Sequence, residues 1–161
     1  MGSCLPAPPE AQSLDLDLLD RELHLAPAVS ALLFRKVIQR GACTRLRSLR
    51  QMGKTIPLDR AIEAGAWTDA AITLIGFELP NWSVRRLVWE RGEWLCSLSR
   101  QPNLPIFLDE PAERSHAVLA LAVLRAFVAT RCMSAATRQM TASVPLSLPC
   151  PAFVFCCDNL A

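Results

Sequence analysis

Histidine is nearly missing from this chain of 161 residues: His24 and His116 are the only imidazoles, so acid–base chemistry built on histidine has two candidates and no more. Seven cysteines are present (Cys4, Cys43, Cys96, Cys132, Cys150, Cys156 and Cys157), but no Cys-x-x-Cys pair. An odd count at irregular spacing argues against a disulfide framework, and adjacent Cys156 and Cys157 are poorly placed to grip one ion. No metal site and no cofactor site is therefore expected. The opening Met-Gly-Ser-Cys-Leu-Pro lacks the basic and apolar regions of a secretory signal. Pro6 stands where an N-myristoylation motif wants Ser or Thr. Residues 117–129 are strongly apolar, but Arg125 interrupts them and they fall short of the ~20 residues a membrane span requires. The expectation is a cytoplasmic protein with no membrane partner.

A large net charge is also missing, since the formal value is only +2. Its distribution carries more information. Residues 1–32 have a net charge of −4, residues 33–57 of +7 with no acid among them, and residues 58–161 of −1. The basic block comprises Arg35, Lys36, Arg40, Arg45, Arg47, Arg50 and Lys54. A hydrophobic fraction of 52% is ample for a core. Prolines gather before residue 58 and after residue 144, which leaves the middle free to fold. The chain divides into a tail at 1–12, a helical basic segment at 13–57, an α+β core at 58–131 and a poorly ordered tail at 132–161.

Ser13 opens a Leu/Asp-rich helix with Leu14, Leu18 and Leu25 on one face, ending before Pro27. Residues 28–40 form a second, with Val29, Leu32, Leu33 and Val37 as its apolar stripe, stopped by Gly41. Thr44 caps a short basic helix to Met52, and Pro57 starts another that Gly65 closes. Thr68 is a suitable cap for residues 69–79, with Ile72, Ile75 and Leu79 sharing a face.

Residues 82–90 and 93–100 both alternate, and Arg91-Gly92 has the length of a two-residue hairpin loop. In the tight register Trp89 faces Trp94, Leu87 faces Cys96 and Arg85 faces Leu98. Trp82, Val84, Arg86 and Val88 then lie on the other, uncovered face. Asp109 caps a long helix, with Glu110 and Pro111 in its first turn, running to about Arg131. The predicted fold class is α+β: a small α-β-β-α core in which a two-stranded antiparallel hairpin packs on helices, with an N-terminal helical segment and irregular tails.

No constellation of catalytic residues stands out. Gly53-Lys54-Thr55 imitates the end of a phosphate-binding loop, but Ser48 occupies the position of its first glycine and no strand precedes it. Ser115 and His116 are neighbours on the predicted helix and point about 100° apart, so they make no nucleophile–base pair by themselves. Cys96, on the predicted core face, reads as a packed thiol. Asp109, Glu110 and Glu113 are explained by capping and the helix dipole. The basic block outlines two helices joined by Gly41–Cys43, a superficial helix-turn-helix whose cations would contact phosphate.

The run Glu78-Leu-Pro-x-Trp82 to Gly92-Glu-Trp-x-Cys-Ser-Leu-Ser-Arg100, followed by an acidic stretch and an Ala/Leu-rich helix, resembles small uncharacterised bacterial proteins over roughly residues 58–131. The resemblance implies no activity. The resulting expectation is a non-catalytic protein-interaction module, binding a protein partner or a second copy through Trp82, Val84, Arg86 and Val88. The alternative is nucleic-acid binding by residues 28–54.

Overall fold

Alternation between residues 82 and 100 produces the hairpin that organises one side of the molecule. In the computed structural model, which describes residues 9–53, 56–105 and 108–142, strand β1 (Ser83–Glu90) pairs antiparallel with β2 (Glu93–Ser99). Arg91 and Gly92 turn the chain with φ of 54° and 85°. Positive φ at both positions is what a tight hairpin turn matching the strand twist demands. Trp89 faces Trp94 and Leu87 faces Cys96, as the spacing predicts. The two indoles meet edge to face with centroids 5.4 Å apart.

Two expectations fail at the edges of this hairpin. The register slips between Val84 and Arg86, so Val84, and not Arg85, lies opposite Leu98. The segment after Asp109 is a third strand, β3 (Ala112–His116), rather than the first turns of a helix. It pairs antiparallel with β2, giving the sheet order β1-β2-β3. Acids beside a proline imitate a helix start, yet Ala112, Arg114 and His116 fall opposite Leu98, Cys96 and Trp94 in strict alternation. Pairing satisfies the second edge of β2, which a helix there would leave bare.

The long helix therefore begins later and ends later than its sequence suggests: α6 spans Leu119–Ala142. It packs on α1, α5, β2 and β3. By length and composition it is the one helix among the described residues that could cross a membrane, but Leu121–Leu124 and Ala126–Val128 are fully buried inside the protein.

The remaining helices are α1 (Pro9–Leu25), α2 (Ala31–Arg40), α3 (Thr44–Gln51), α4 (Pro57–Glu63) and α5 (Trp67–Glu78). Helix α1 starts four residues before Ser13, inside the stretch expected to be a tail. Ser30 caps α2, its hydroxyl accepting from the Leu33 amide at 3.2 Å. Thr44 and Thr68 do not act as caps; Cys43 and Ala66 hold those positions without a side-chain bond.

Helix α3 is held instead by a carboxylate from another helix. Glu78, buried at the end of α5, accepts from the Leu46 amide at 2.6 Å and from Arg131 of α6 at 2.7 Å. Arg131 also lies over the Phe127 ring. One acidic group thus links three helices and occupies an orphan amide of α3. Gly41 fits the same junction because a side chain there would meet the Val37 carbonyl at 2.5 Å and the Phe127 ring at 3.0 Å. The core is continuous: Leu19, Leu23, Phe34 and Leu46 from the N-terminal helices belong to one cluster with Leu74, Leu98, Leu121 and Phe127. The architecture is α+β, six helices around a three-stranded antiparallel sheet among the described residues.

Helix α1 is rotated away from the expected orientation. Its buried side carries Leu16, Leu19 and Leu23, while Leu14, Leu18 and Leu25 are 65%, 57% and 81% exposed. Similarly, Leu32 of α2 and Ile72 of α5 face solvent although their stripes were expected to bury them. Truncation will separate the two sides of α1. Leu23→Ala is expected to cost about 2–5 kcal/mol through lost burial and a cavity, and Leu18→Ala about 0.5 kcal/mol or less. Urea unfolding monitored by tryptophan fluorescence measures both, and equal losses would contradict the assigned rotation.

Candidate functional site

The basic block does not assemble into one cationic surface. Acidic residues packed beside it neutralise much of it. Lys36 pairs with Glu22 of α1, and Arg40 lies 3.5 Å from Asp15 and 3.7 Å from Glu22. Arg50 pairs with Asp59 of α4 at 2.5 Å. Arg35, Arg45 and Arg47 are exposed and have no ion pair among the described residues. Arg35 and Arg47 border adjoining hollows that share Ile38, Gln39 and Arg50, whereas Arg45 borders a separate shallow pocket of about 380 Å³ with Leu49 and Phe77. The hollow at Arg47, of about 350 Å³, is also lined by Cys43. Lys54, and with it the phosphate-loop imitation, lies outside the described residues.

The hairpin face expected to be bare is partly closed. Trp82 is half-buried against the core with the Arg100 guanidinium 4.9 Å from its ring. Val84 stands opposite buried Leu98, whereas Arg86 and Val88 stand opposite Ser97 and Leu95, so the bulge separates residues expected to act together. Arg86 is engaged by Glu90. At the same end of the sheet Arg85 donates to the Leu104 carbonyl at 2.6 Å and pairs with Asp109, tying the connection before β3 to β1. Ser97 and Ser99 are fully buried there. The outer edge of β1 is guarded by a bulge and by Arg86 and Glu90, features that discourage indiscriminate strand pairing.

Folding brings together the two histidines, which sequence separation hides. His116, on the inner side of β3, accepts from the Val118 amide through Nδ1 at 2.9 Å, and its Nε2 faces the His24 carbonyl at 3.2 Å. The neutral ring with its proton on Nε2 satisfies both. Arg125 approaches His24 Nδ1 at 3.0 Å and holds Asp20 through Nε at 3.0 Å and Nη2 at 3.3 Å. Arg114 adds a third contact to Asp20 at 3.3 Å. Sequence reasoning missed Asp20 and Arg125; the visible signal was an arginine interrupting the apolar run at 117–129. Every polar atom of the His116 ring is used to fasten α1, β3 and α6, which fits a structural joint better than a proton-transfer site.

The thiols point the same way. Burial pushes Cys96 up to about 12, and burial together with the Glu78 charge does the same for Cys43. Both stay protonated near neutral pH, where a thiol is a poor nucleophile. Among the described residues no group of three or more His, Cys, Asp or Glu side chains is arranged to hold a metal ion.

What remains is the outward side of α1. At about 100° per residue, positions 14, 18 and 25 fall within about 40° of each other. They line the side of α1 opposite the leucines that build the core. Singly exposed leucines need no explanation; here three align on one face of one helix.

The Asp109 carboxylate provides a separate check on the connection that closes the hairpin face. A hydrogen bond from Ser99 holds it below its usual value of 3.8, assisted by the Arg85 guanidinium. A carboxylate lowered in the folded state stabilises above its unfolded value and loses that contribution as pH falls through the folded one. Wild-type urea midpoints should therefore fall on acidification below about 3.8, and Asp109→Asn should lower the midpoint at neutral pH while flattening that fall. An unchanged acid profile in the variant would contradict the linkage. No protein-family model matches the chain, and no curated protein or solved structure matches it either.

Proposed function

We propose that this protein works by binding another protein through the outward leucine face of α1, and not by catalysis. The observation that carries the reading is the exposure of Leu14, Leu18 and Leu25 on a helix whose other side is fully committed to the core. An amphipathic helix hides its apolar stripe and presents polar residues to water; α1 has leucines on both sides. Leaving a second stripe in water gains nothing in folding, whereas burying it against a partner recovers roughly 25 cal/mol for each Å² covered. The helix is also rigidly seated, because Asp20 fastens it to Arg114 and Arg125. A preformed helical ridge binds without a large ordering cost. The histidine and thiol environments described above give catalysis no comparable support.

The nucleic-acid alternative has weaker backing. Three of its seven arginine and lysine residues are spent on acids of the same chain, and Arg45 lies apart from the adjoining pockets that Arg35 and Arg47 border. Phosphate binding gains strength from converging cations, and here only Arg35 and Arg47 come near each other, beside an Arg50 already paired with Asp59.

A photo-crosslinking residue placed at position 18 in the full chain, expressed in cells, tests the proposal. Adducts with another polypeptide should form at position 18 and not at exposed Asp69 on α5. Equal capture at both positions, or none at position 18, would overturn it.

A further inference from the structure

The outer face of α1 carries more than leucine. Asp15 and Glu22 are engaged by Arg40 and Lys36, and Asp20 by Arg114 and Arg125. Asp17 and Arg21 are exposed, and neither has an ion pair among the described residues. Asp17 accepts a long contact from the Cys132 thiol at 4.0 Å but has no counter-ion among them; the two charges have opposite sign and sit four residues apart, beside the leucine stripe. Positions 14, 18, 21 and 25 follow the alternating spacing of four and three that defines a helix-pairing seam.

Resting on the reading that this face binds protein, we infer that its partner is a second copy of the same chain, paired helix to helix in antiparallel fashion. A twofold axis between residues 19 and 20 sets Leu14 against Leu25 of the other copy and Leu18 against Arg21 of the other copy. The aliphatic stem of Arg21 then covers Leu18 while its guanidinium reaches Asp17 across the axis. The contact is made twice, once in each direction, as an isologous interface requires. A surface bearing both an unpaired acid and an unpaired base is complementary to itself; a partner of one charge would leave one of them unmatched. The ridge is short, with three leucines per copy, so association at micromolar concentration is expected rather than an obligate dimer, which buries far more surface.

Sedimentation equilibrium of the full chain across a concentration series tests the pairing. Wild type should be substantially dimeric by roughly 100 µM. Leu18→Glu should abolish the dimer, while Trp89→Glu on the exposed hairpin edge should leave it unchanged. Asp17→Arg and Arg21→Asp should each weaken association by about tenfold, and the double reversal should restore it. A strict monomer throughout, or a dimer indifferent to Leu18→Glu and to the charge reversals, would overturn self-pairing. The crosslinking experiment separates the two readings. Adducts from position 18 to a different polypeptide, with a monomer in the centrifuge, end only the second-copy inference. Adducts to residues 143–161 of the same molecule show the face covered from within and end both.

Discussion

The carboxylate of Asp20 fixes how the first helix sits, and the reading of this protein follows from that seat. Two arginines meet it, Arg125 from α6 through two nitrogens and Arg114 from β3. Half-buried ion pairs of this kind add little net stability, because desolvation offsets much of the attraction. Their strength lies in direction: a planar guanidinium meeting both carboxylate oxygens permits only a narrow range of orientations. Turning α1 to bury Leu14 and Leu18 would pull Asp20 away from both arginines. The helix is therefore held with Leu16, Leu19 and Leu23 in the core, and the second leucine row stays in water.

The same device recurs where α3, α5 and α6 meet. Glu78 is almost wholly buried, yet it is paired with Arg131 and receives the Leu46 amide, so it joins α3, α5 and α6. Removing either partner of such a buried pair strands the other charge, which is costlier than the pair is stabilising. Acidic residues elsewhere are spent on the basic block, where Asp15, Glu22 and Asp59 hold Arg40, Lys36 and Arg50. Three of the seven cations in the basic block are thus internal wiring between neighbouring helices. Asp17 and Arg21 stand out because neither has a counter-ion among the described residues.

How much of this was legible follows from the physics of each segment. The hairpin was readable because a period of two and a two-residue turn are both local. Arg91 filled a turn position better suited to Asn or Asp, and the glycine beside it was enough. The third strand was not readable: Pro111 and nearby acids carry the local signature of a helix start, and only the vacant edge of β2 selects a strand. Helix α1 was readable as a helix but not in its rotation. Leucines occur on both of its sides, and the choice between them is made by Asp20, whose partners lie about a hundred residues away. Arg125 looked like an interruption in an apolar run and proved to be the anchor. The bulge at Arg85, which divides the expected hairpin surface, depends on Asp109 and Leu104 and has no local mark either.

Hydroxyl-radical footprinting of the full chain at high dilution, read by peptide mass spectrometry, addresses the seat of α1 most directly. Oxidation is expected at Leu14, Leu18 and Leu25, with Leu16, Leu19 and Leu23 protected until the protein is unfolded. Equal oxidation of the two rows, or protection of Leu18 in the dilute monomer, would contradict it.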